Sequence, residues 1–444
     1  MADVHDVFAD PPAEAKLQMW YHWIADCVTE EGIVADMKAM GELGVGTAYI
    51  FAPSMGDLPV KAKPMDDEWL RLFSVAIREA KKNGLTLGFH NCPGWSSSGG
   101  PWISPENSMK KVVWSEADVT IRGRDAYVAT GKVDAVCLPQ PKSKLGFYRD
   151  IAVYAIPRGQ GTPSASEVKS PDFPKALGTK EPGTTASLDF DYAFAWRPRF
   201  FVFRTERDRV TGDLVVSAEH ENGWTEVAKT QISPWAVVTD DRVVQLKLDR
   251  PARKFRVTFT SAAFPSWMGQ HDTVVTSASF TDMPLIENVT DKNSATCTYK
   301  SHRSKGESAP GVRLDSIIDL TDVLRPNGVL DLETVFSKLQ SSDYRILRIG
   351  YTTTGAKPAP ATIAGLECDK LDRKGIEAHW AAMPAKILAL PGARETVSHC
   401  IIDSYEVGGQ NWSECLPDEF AKRRGYPIGK RLVVVCGYAV GYTE

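Results

Sequence analysis

The sequence predicts an α/β fold: an incomplete (β/α)8-type barrel interrupted by an inserted antiparallel β-sandwich domain. Three observations lead to this class. Residues 12–115 alternate apolar strands with amphipathic helices, residues 116–335 alternate apolar and polar side chains in steps of two, and residues 336–444 return to strands and helices. We therefore expect a first part of the barrel, an inserted β-sandwich region, and a continuation of the barrel that ends before closure.

The first segment has the order strand–helix–strand–helix–strand, which is typical of parallel strands joined by right-handed crossovers. Thr29 is a plausible N-cap for the first helix, and Gly84 closes the second. The predicted strands cover 19–25, 45–53 and 85–92, and the predicted helices cover 29–44 and 66–84.

The second segment alternates apolar and polar residues between polar turns, which indicates antiparallel sheets. Its predicted strands include 199–206, 213–220, 242–249 and 254–261. Four tryptophans lie in this segment: 196, 224, 235 and 267. We expect them mainly in the core, whereas an exposed one could stack on a sugar.

The third segment supplies further strands and two more helices. The strands are predicted at 344–353, 399–406 and 430–437, and the helices at 371–390 and 416–427. Together with the first segment this makes about six α/β strands, whereas a closed (β/α)8 barrel has eight. An open sheet would expose edge strands, so we also expect a tendency to self-association.

Composition excludes several classes of protein. Hydrophobic residues make up 43%, charged residues 24%, and the formal net charge is −4 without long runs of one sign, so neither nucleic acid nor an anionic membrane is an expected partner. No secretory leader or spanning segment is visible, which predicts a cytoplasmic protein. The eight cysteines form no CxxC pair, which argues against structural zinc and a disulfide framework.

Polar and aromatic side chains gather at three predicted strand ends, where parallel α/β folds place their sites. Indole rings stack on sugars, amides and histidines bind hydroxyls, and carboxylates supply acid and base, so the set suits a carbohydrate. The three groups are His22, Trp23 and Asp26; His90, Asn91 and Trp95; and Asp403, Glu406, Gln410, Asn411 and Trp412.

Two carboxylates are candidates for catalysis, Glu406 and Glu367. If the strand continues through Glu406, its alternation sets Glu406 on the face opposite Asp403. Each has a structural alternative: Glu406 could order a loop, and Glu367 could cap the following helix. His22 and His90 could likewise be structural. The serine-rich run 96–98 lacks a G-x-S-x-G elbow, which argues against a serine nucleophile. The neighbouring glycines match no phosphate-binding motif, which argues against a phosphate site.

Long blocks of this sequence resemble glycoside hydrolase family 106, the α-L-rhamnosidases. The blocks occur in the family's order and reach from about residue 12 to the end. They are WYHWIADCVTEEGIVADMKAMGELGVGTAYIF, LGFHNCPGWSSSGGPWISPENSMKKVVWSE, ILRIGYTTTG, GLECDKL and IIDSYEVGGQNW.

The resemblance implies a catalytic (β/α)8 barrel with β-sandwich domains that hydrolyses terminal α-L-rhamnosides with inversion, assisted by Ca²⁺. It implies a rhamnose-containing glycan or glycoside as substrate. Glu406 then inherits a catalytic role, and Glu367 is the candidate for the second carboxylate. His22, Asn91, Trp95 and Trp412 are implied to line the sugar site, whereas the calcium ligands stay unassigned.

The chain also departs from the family's pattern. Members are usually much longer and often exported, so the resemblance predicts a chain truncated at its C-terminus. Two alternatives to a rhamnosidase stay open. One is a non-catalytic carbohydrate-binding fragment, and the other is a glycosidase of different substrate specificity on the same scaffold.

Overall fold

The computed structural model describes most of the chain, and all structural statements concern its described residues: 4–9, 11–12, 15–24, 27–54, 62–128, 131–159, 162–163, 167–178, 181–206, 211–232, 242–263, 272–287, 289–292, 311–358, 363 and 365–441. They form two compact units. Unit one comprises Met1–Lys111, Ser143–Tyr148 and Thr352–Glu419, and unit two comprises Val112–Lys142, Arg149–Tyr351 and Phe420–Glu444.

A parallel sheet of four strands is the centre of unit one. Its strands are, in spatial order, Leu17–His22, Val45–Phe51, Thr86–His90 and Val397–Ile401. All three pairings are parallel, which confirms the predicted strand direction. Neither edge of this sheet pairs with a further strand within the described ranges, so the sheet is open there, and the incomplete (β/α)8-type barrel stays a prediction.

Two helices connect the first three strands, and both have N-terminal caps, of which Thr29 was predicted. Thr29 accepts a hydrogen bond from Gly32 N at the start of Glu30–Glu42, and Asp66 accepts one from Trp69 N at the start of Asp67–Lys82. The helix predicted at 371–390 is instead two helices. Pro384 lacks a backbone N–H and begins the second one. The unit's other helices are Val4–Ala9, Arg373–Ala382, Pro384–Leu388 and Ala393–Thr396.

The two faces of the parallel sheet have different chemistry. One face is apolar and joins the core formed with the helices; it includes Ala48, Ile50, Leu87 and Phe89. The opposite face mixes aromatic and polar groups. There the Thr47 and Thr86 hydroxyls lie 2.8 Å apart, Tyr49 donates to Gln18 at 2.7 Å, and the rings of Phe51 and His90 meet edge-on. His90, on this second face, is the last residue of its strand and lies at the end of the sheet where the site is predicted.

Unit two contains two antiparallel sheets that share one hydrophobic cluster, which includes Phe190, Phe201, Phe255 and Phe280. The five-stranded sheet has the order Gly223–Ile232, Gly212–His220, Ala252–Ser261, Thr185–Trp196 and Val168–Lys169. The four-stranded sheet has the order Lys175–Gly178, Thr273–Thr281, Phe200–Thr205 and Arg242–Gln245. Trp196 lies in the core and Trp224 is exposed, whereas Trp235 and Trp267 lie outside the described residues.

A six-stranded sheet completes the β structure of this unit. Its order is Ile318–Asp319, Arg149–Pro157, Asp343–Thr353, Lys110–Arg122, Asp125–Val128 and Gly131–Val133. We predicted the strand 344–353 as part of the α/β sheet, and this is wrong, because the observed strand Asp343–Thr353 pairs antiparallel with Arg149–Pro157. Both of its faces are buried, and a strand buried on both faces has the continuous apolar pattern typical of parallel strands.

The strand predicted at 430–437 is also wrong. Gly429–Val434 forms a 3₁₀ helix in which the neighbouring Leu432 and Val433 are both buried. A short apolar run does not distinguish a strand from a buried helical turn. The remaining helices are Val289–Lys292, Leu332–Lys338 and Leu416–Arg424, and further 3₁₀ turns occur at Pro105–Asn107, Leu314–Ser316 and Thr321–Val323. No helix in the described part of the chain is both long and apolar enough to cross a membrane.

The parallel sheet predicts a steric cost at Gly88. A Cβ atom there would lie 2.3 Å from Tyr49 Cδ1, and the Tyr49 ring is held by Gln18 and Trp20. We expect Gly88→Ala to lower the free energy of unfolding by about 1–3 kcal/mol, measured by urea denaturation. Gly131→Ala is the control, because the nearest atom to its Cβ would be 4.0 Å away. Equal effects of both substitutions would contradict the steric argument.

Candidate active site

The parallel strands bring two loops together at their carboxyl ends. The Ser-rich loop, residues 91–98, follows Thr86–His90, and the Glu406 loop, residues 402–412, follows Val397–Ile401. Asn91 N donates to Ile401 O at 2.9 Å, so both loops leave the sheet side by side. The carboxyl ends of parallel strands are the usual place for a site in such sheets.

Glu406 is exposed and contacts the Ser-rich loop through one hydrogen bond. Trp95 Nε1 donates to Glu406 Oε2 at 3.2 Å. The strand predicted to run through Glu406 ends at Ile401 instead. Strand alternation therefore does not set the direction of this side chain, and the indole of Trp95 orients the carboxylate.

Glu367 is fully buried beneath the same loop. Its Oε2 accepts hydrogen bonds from Ser98 N at 3.1 Å and from Lys370 Nζ at 2.7 Å. Oε1 has no hydrogen-bond partner in the described part of the chain. Burial raises the pKa of Glu367, and the charge and hydrogen bond of Lys370 oppose that rise. Asp372 caps the following helix by accepting from Lys374 N, which removes the capping alternative for Glu367.

Glycines allow the two chain segments around Glu367 to approach closely. Leu366–Glu367 pairs antiparallel with Gly99–Gly100. A Cβ at Gly99 would lie 2.3 Å from Leu366 O, and one at Gly365 would lie 2.1 Å from Gly100 C. Any side chain at these positions would separate the strands, so the glycines fix Glu367 beside the Ser-rich loop.

Asp369 is the centre of a buried polar network that the sequence analysis missed. It is fully buried and pairs with Lys110 Nζ at 3.0 Å, and Lys110 is itself 1% exposed. Asp369 also accepts hydrogen bonds from Ser413 Oγ, Gln410 Nε2 and Leu371 N at 2.8, 2.5 and 3.0 Å. The available signal was a lysine next to an apolar strand segment and a second acid two residues after Glu367.

His90 is buried and its hydrogen bonds fit the structural alternative. The Asp403 N–H donates to His90 Nε2 at 3.2 Å. His90 Nδ1 lies 3.2 Å from the carbonyl oxygen of Cys92 and 3.3 Å from the backbone nitrogen of the same residue. Burial lowers the pKa of His90, opposed by the Cys92 backbone and by the charge of Asp403. A neutral His90 therefore connects the two loops.

His379, which the sequence analysis did not identify, performs a similar task from helix Arg373–Ala382. Its Nε2 donates to Asn91 O at 2.7 Å, and its Nδ1 accepts from Trp102 Nε1 at 3.1 Å. Burial lowers the pKa of His379, the backbone hydrogen bond with Asn91 opposes this, and the charge of Lys370 adds to the lowering, so that the pKa is about 4.

The predicted sugar-binding residues have different positions. Asn91 is half-buried and donates to Ser98 Oγ, and Trp95 is half-buried against Glu406. His22 is exposed beside the Phe51 ring, and no described contact joins it to either glutamate. Trp412 is buried, and its backbone pairs with that of Lys110. Their roles in sugar binding stay predictions. Trp23 belongs to the core, and Asp26 lies outside the described residues.

The described residues do not identify ligands for the calcium ion that the resemblance implies. Within the described ranges, no group of three or more His, Cys, Asp or Glu side chains is placed to hold a metal ion. The buried side chains of Glu367 and Asp369 each contact a lysine, Lys370 and Lys110. Calcium stays a prediction, and no step below uses it.

The buried ion pair predicts that Lys110 contributes far more to the free energy of unfolding than an exposed lysine such as Lys38. Lys110→Met would leave the Asp369 charge buried without its cation, so we expect a loss of about 3–5 kcal/mol in the free energy of unfolding, measured by denaturant titration. Lys38→Met is the matched control: Lys38 is 69% exposed and pairs with Glu42, and its removal should cost less than about 1 kcal/mol. A Lys110→Met variant as stable as this control would refute the assignment.

The low pKa of His379 predicts an acid-sensitive stability. Between pH 6.5 and about 4 the unfolded chain holds this proton and the folded chain does not. Stability therefore falls as the pH falls through this window, by about 3 kcal/mol from this group. NMR titration of the histidine Cε1–H signals, with His379→Gln for assignment, should show a pKa near 4. Titration near 6.5 would contradict the buried neutral ring.

Two of the known proteins that this chain resembles are informative. The putative beta-glucuronidase of Formosa agariphila is 28% identical over 448 residues, which cover 100% of this chain and 27% of that protein. The solved structure of a rhamnosidase from Novosphingobium sp. PP1Y superposes with a TM-score of 0.74 at 23% identity, over 100% of this chain and 43% of that one. The second likeness shows a shared fold. This chain thus spans less than half the length of either protein.

The sequence profile of one family covers nearly the whole chain. The profile of glycoside hydrolase family 106, described as alpha-L-rhamnosidase, matches residues 9–444. The chain belongs to glycoside hydrolase family 106.

Proposed function

We propose that this chain carries catalytic residues of a glycoside hydrolase that releases terminal α-L-rhamnose with inversion. Family membership supports the substrate class. The observation that carries the proposal is that one loop contacts both predicted carboxylates, Glu406 through Trp95 and Glu367 through Ser98. A pair of carboxylates around one bound sugar is the usual requirement of glycoside hydrolysis.

The different surroundings of the carboxylates suggest different roles. Glu367 is the proton donor in our proposal, because burial raises its pKa. In addition, no described residue donates a hydrogen bond to Oε1, so this oxygen is available to carry the proton. Access of the glycosidic oxygen to Oε1 requires the covering side chains to move. Glu406 faces solvent and is the base that removes a proton from the attacking water.

Trp95 has two tasks in this scheme. Its Nε1 holds the Glu406 carboxylate, and its half-buried ring offers a face on which a sugar could stack. A sugar on this face would lie beside the carboxylate that activates water. Asn91 belongs to the same loop, and we propose it as a further sugar contact.

For the whole protein, we propose that the parallel strands form part of a (β/α)8 barrel and that the two sheets sharing the Phe201 cluster form a sandwich.

The roles can be separated by the leaving group of the substrate. A 4-nitrophenyl α-L-rhamnoside departs without much protonation, whereas a methyl α-L-rhamnoside requires an acid. We expect Glu406→Gln to lower kcat on both substrates by about 10²–10⁴-fold, and Glu367→Gln to lower it mainly on the methyl glycoside. NMR of the first-formed sugar should show the β anomer, as inversion requires.

The control is Glu395→Gln, an exposed carboxylate on the surface that pairs with Lys81. It should leave both rates unchanged. Turnover by Glu406→Gln at the parental rate would contradict the assignment of the base, and initial release of the α anomer would contradict inversion. A folded parent without any turnover would contradict a catalytic role for this chain.

A non-catalytic sugar-binding role is the second candidate. The complete burial of Glu367 favours it, because a proton donor must reach the glycosidic oxygen. Saturable binding of a rhamnoside without turnover would support this candidate. The absence of any sugar binding would contradict both candidates.

A further inference from the structure

A cavity lies within unit two, and neither Glu367 nor Glu406 lines it. Its volume is about 370 Å³, which falls in the range of about 300–1,000 Å³ that is typical of small-molecule sites. Its walls come from the four-stranded sheet, from strand Lys110–Arg122 and from residues 436–438. The catalytic proposal uses none of these residues.

One wall of the cavity is a smooth apolar surface. On the four-stranded sheet, Val202 pairs with Val243 on one side and with Ser279 on the other, and all three line the cavity. Tyr192 and Phe280 are further lining residues, but the Phe280 side chain belongs to the hydrophobic cluster between the two sheets, on the face opposite Ser279. The small side chains of Val202, Val243 and Ser279 leave room for a flat apolar face of a ligand.

The other end of the cavity is lined by two carboxylates and two guanidinium groups. Arg345 Nε donates to Asp118 Oδ1 at 2.6 Å, and Arg345 Nη1 donates to Glu116 Oε2 at 2.9 Å. Arg158 Nη1 lies 3.0 Å from Asp118 Oδ2. Burial would raise the pKa of Asp118, but Arg345 and Arg158 outweigh it and the pKa is lowered. The four charges therefore cancel within the cavity.

One hydrogen-bond donor is left over at this polar end. Arg158 Nε is buried and has no hydrogen-bond partner within the described part of the chain, although the same side chain is paired through Nη1. A buried N–H without an acceptor costs free energy. Because Nε has almost no accessible surface, the Arg158 side chain must turn before a ligand oxygen can accept from it. Asp118, with a side chain 41% exposed, offers acceptor oxygens beside it.

We propose that this cavity binds one neutral sugar ring, as a non-catalytic glycan site. Once the Arg158 side chain has turned, a sugar hydroxyl oxygen accepts from its Nε, a hydroxyl proton is donated towards Asp118, and the apolar face of the ring packs on Val202 and Val243. A neutral ligand fits because the cavity's own charges cancel. A carboxylate ligand would add an unpaired charge to a partly desolvated site.

The test is a saturation-transfer NMR titration of the 444-residue chain with L-rhamnose, D-galactose and D-glucuronate. Val202→Trp and Ser279→Trp fill the cavity without touching its charges, and Ser279 is exposed, so that variant has no core packing to disturb. Val215→Trp is the matched control, a half-buried valine on the five-stranded sheet outside the cavity. Trp95→Ala, which lies outside the cavity, removes the predicted sugar contact beside Glu406.

We expect saturable binding of a neutral sugar in the parent, in Val215→Trp and in Trp95→Ala. Both filling variants should weaken it by about tenfold or more. Binding unchanged by filling but lost in Trp95→Ala would overturn the cavity proposal while leaving the proposed catalytic site intact. No binding of either neutral sugar, or a preference for D-glucuronate, would also overturn it.

Discussion

The candidate site depends on the neutralisation of one buried charge. Asp369 has no exposed surface, and a buried carboxylate is stable only with a cation and hydrogen-bond donors around it. Its partners come from three places in the sequence: Lys110, the turn at Leu371, and the segment of Gln410 and Ser413. Because these groups must meet at one point, the chain segments that carry Glu367 and the Glu406 loop are fixed beside each other.

Two carboxylates with unlike environments flank the Ser-rich loop. Glu367 is buried beside a lysine, whereas Glu406 is exposed and touches an indole N–H. Protein environments that separate the proton affinities of two acids allow one to give a proton while the other takes one. The backbone of the Ser-rich loop is in turn hydrogen-bonded to two neutral histidines, at Cys92 by His90 and at Asn91 by His379. The chemistry at this site would thus depend on uncharged rings as much as on the acids.

The sequence predicted the regular elements of unit one well, because their signals are local. Thr29 and Asp66 cap helices as such residues usually do, and apolar runs between them became the parallel strands. Three of the errors share one cause. The backbone after Ile401, the sheet that contains Asp343–Thr353 and the Asp369 network depend on residues far away in the chain. The helix divided at Pro384 and the 3₁₀ turn at Gly429–Val434 have local causes instead. The family resemblance pointed to Glu406 and Glu367, but only tertiary contacts reveal their burial and partners.

The pairing of the Ser-rich loop with Glu367 has a consequence for protein synthesis. Ser98 and Glu367 are 269 positions apart, and all of that chain must be translated before their hydrogen bond can form. At about 5–20 residues per second this takes roughly 10–60 s. Throughout that time the nascent strand Gly99–Gly100 has no Leu366–Glu367 to pair with. The inserted segment would be complete on the ribosome before the candidate active site could assemble, so the site is expected to be among the last parts of the protein to form.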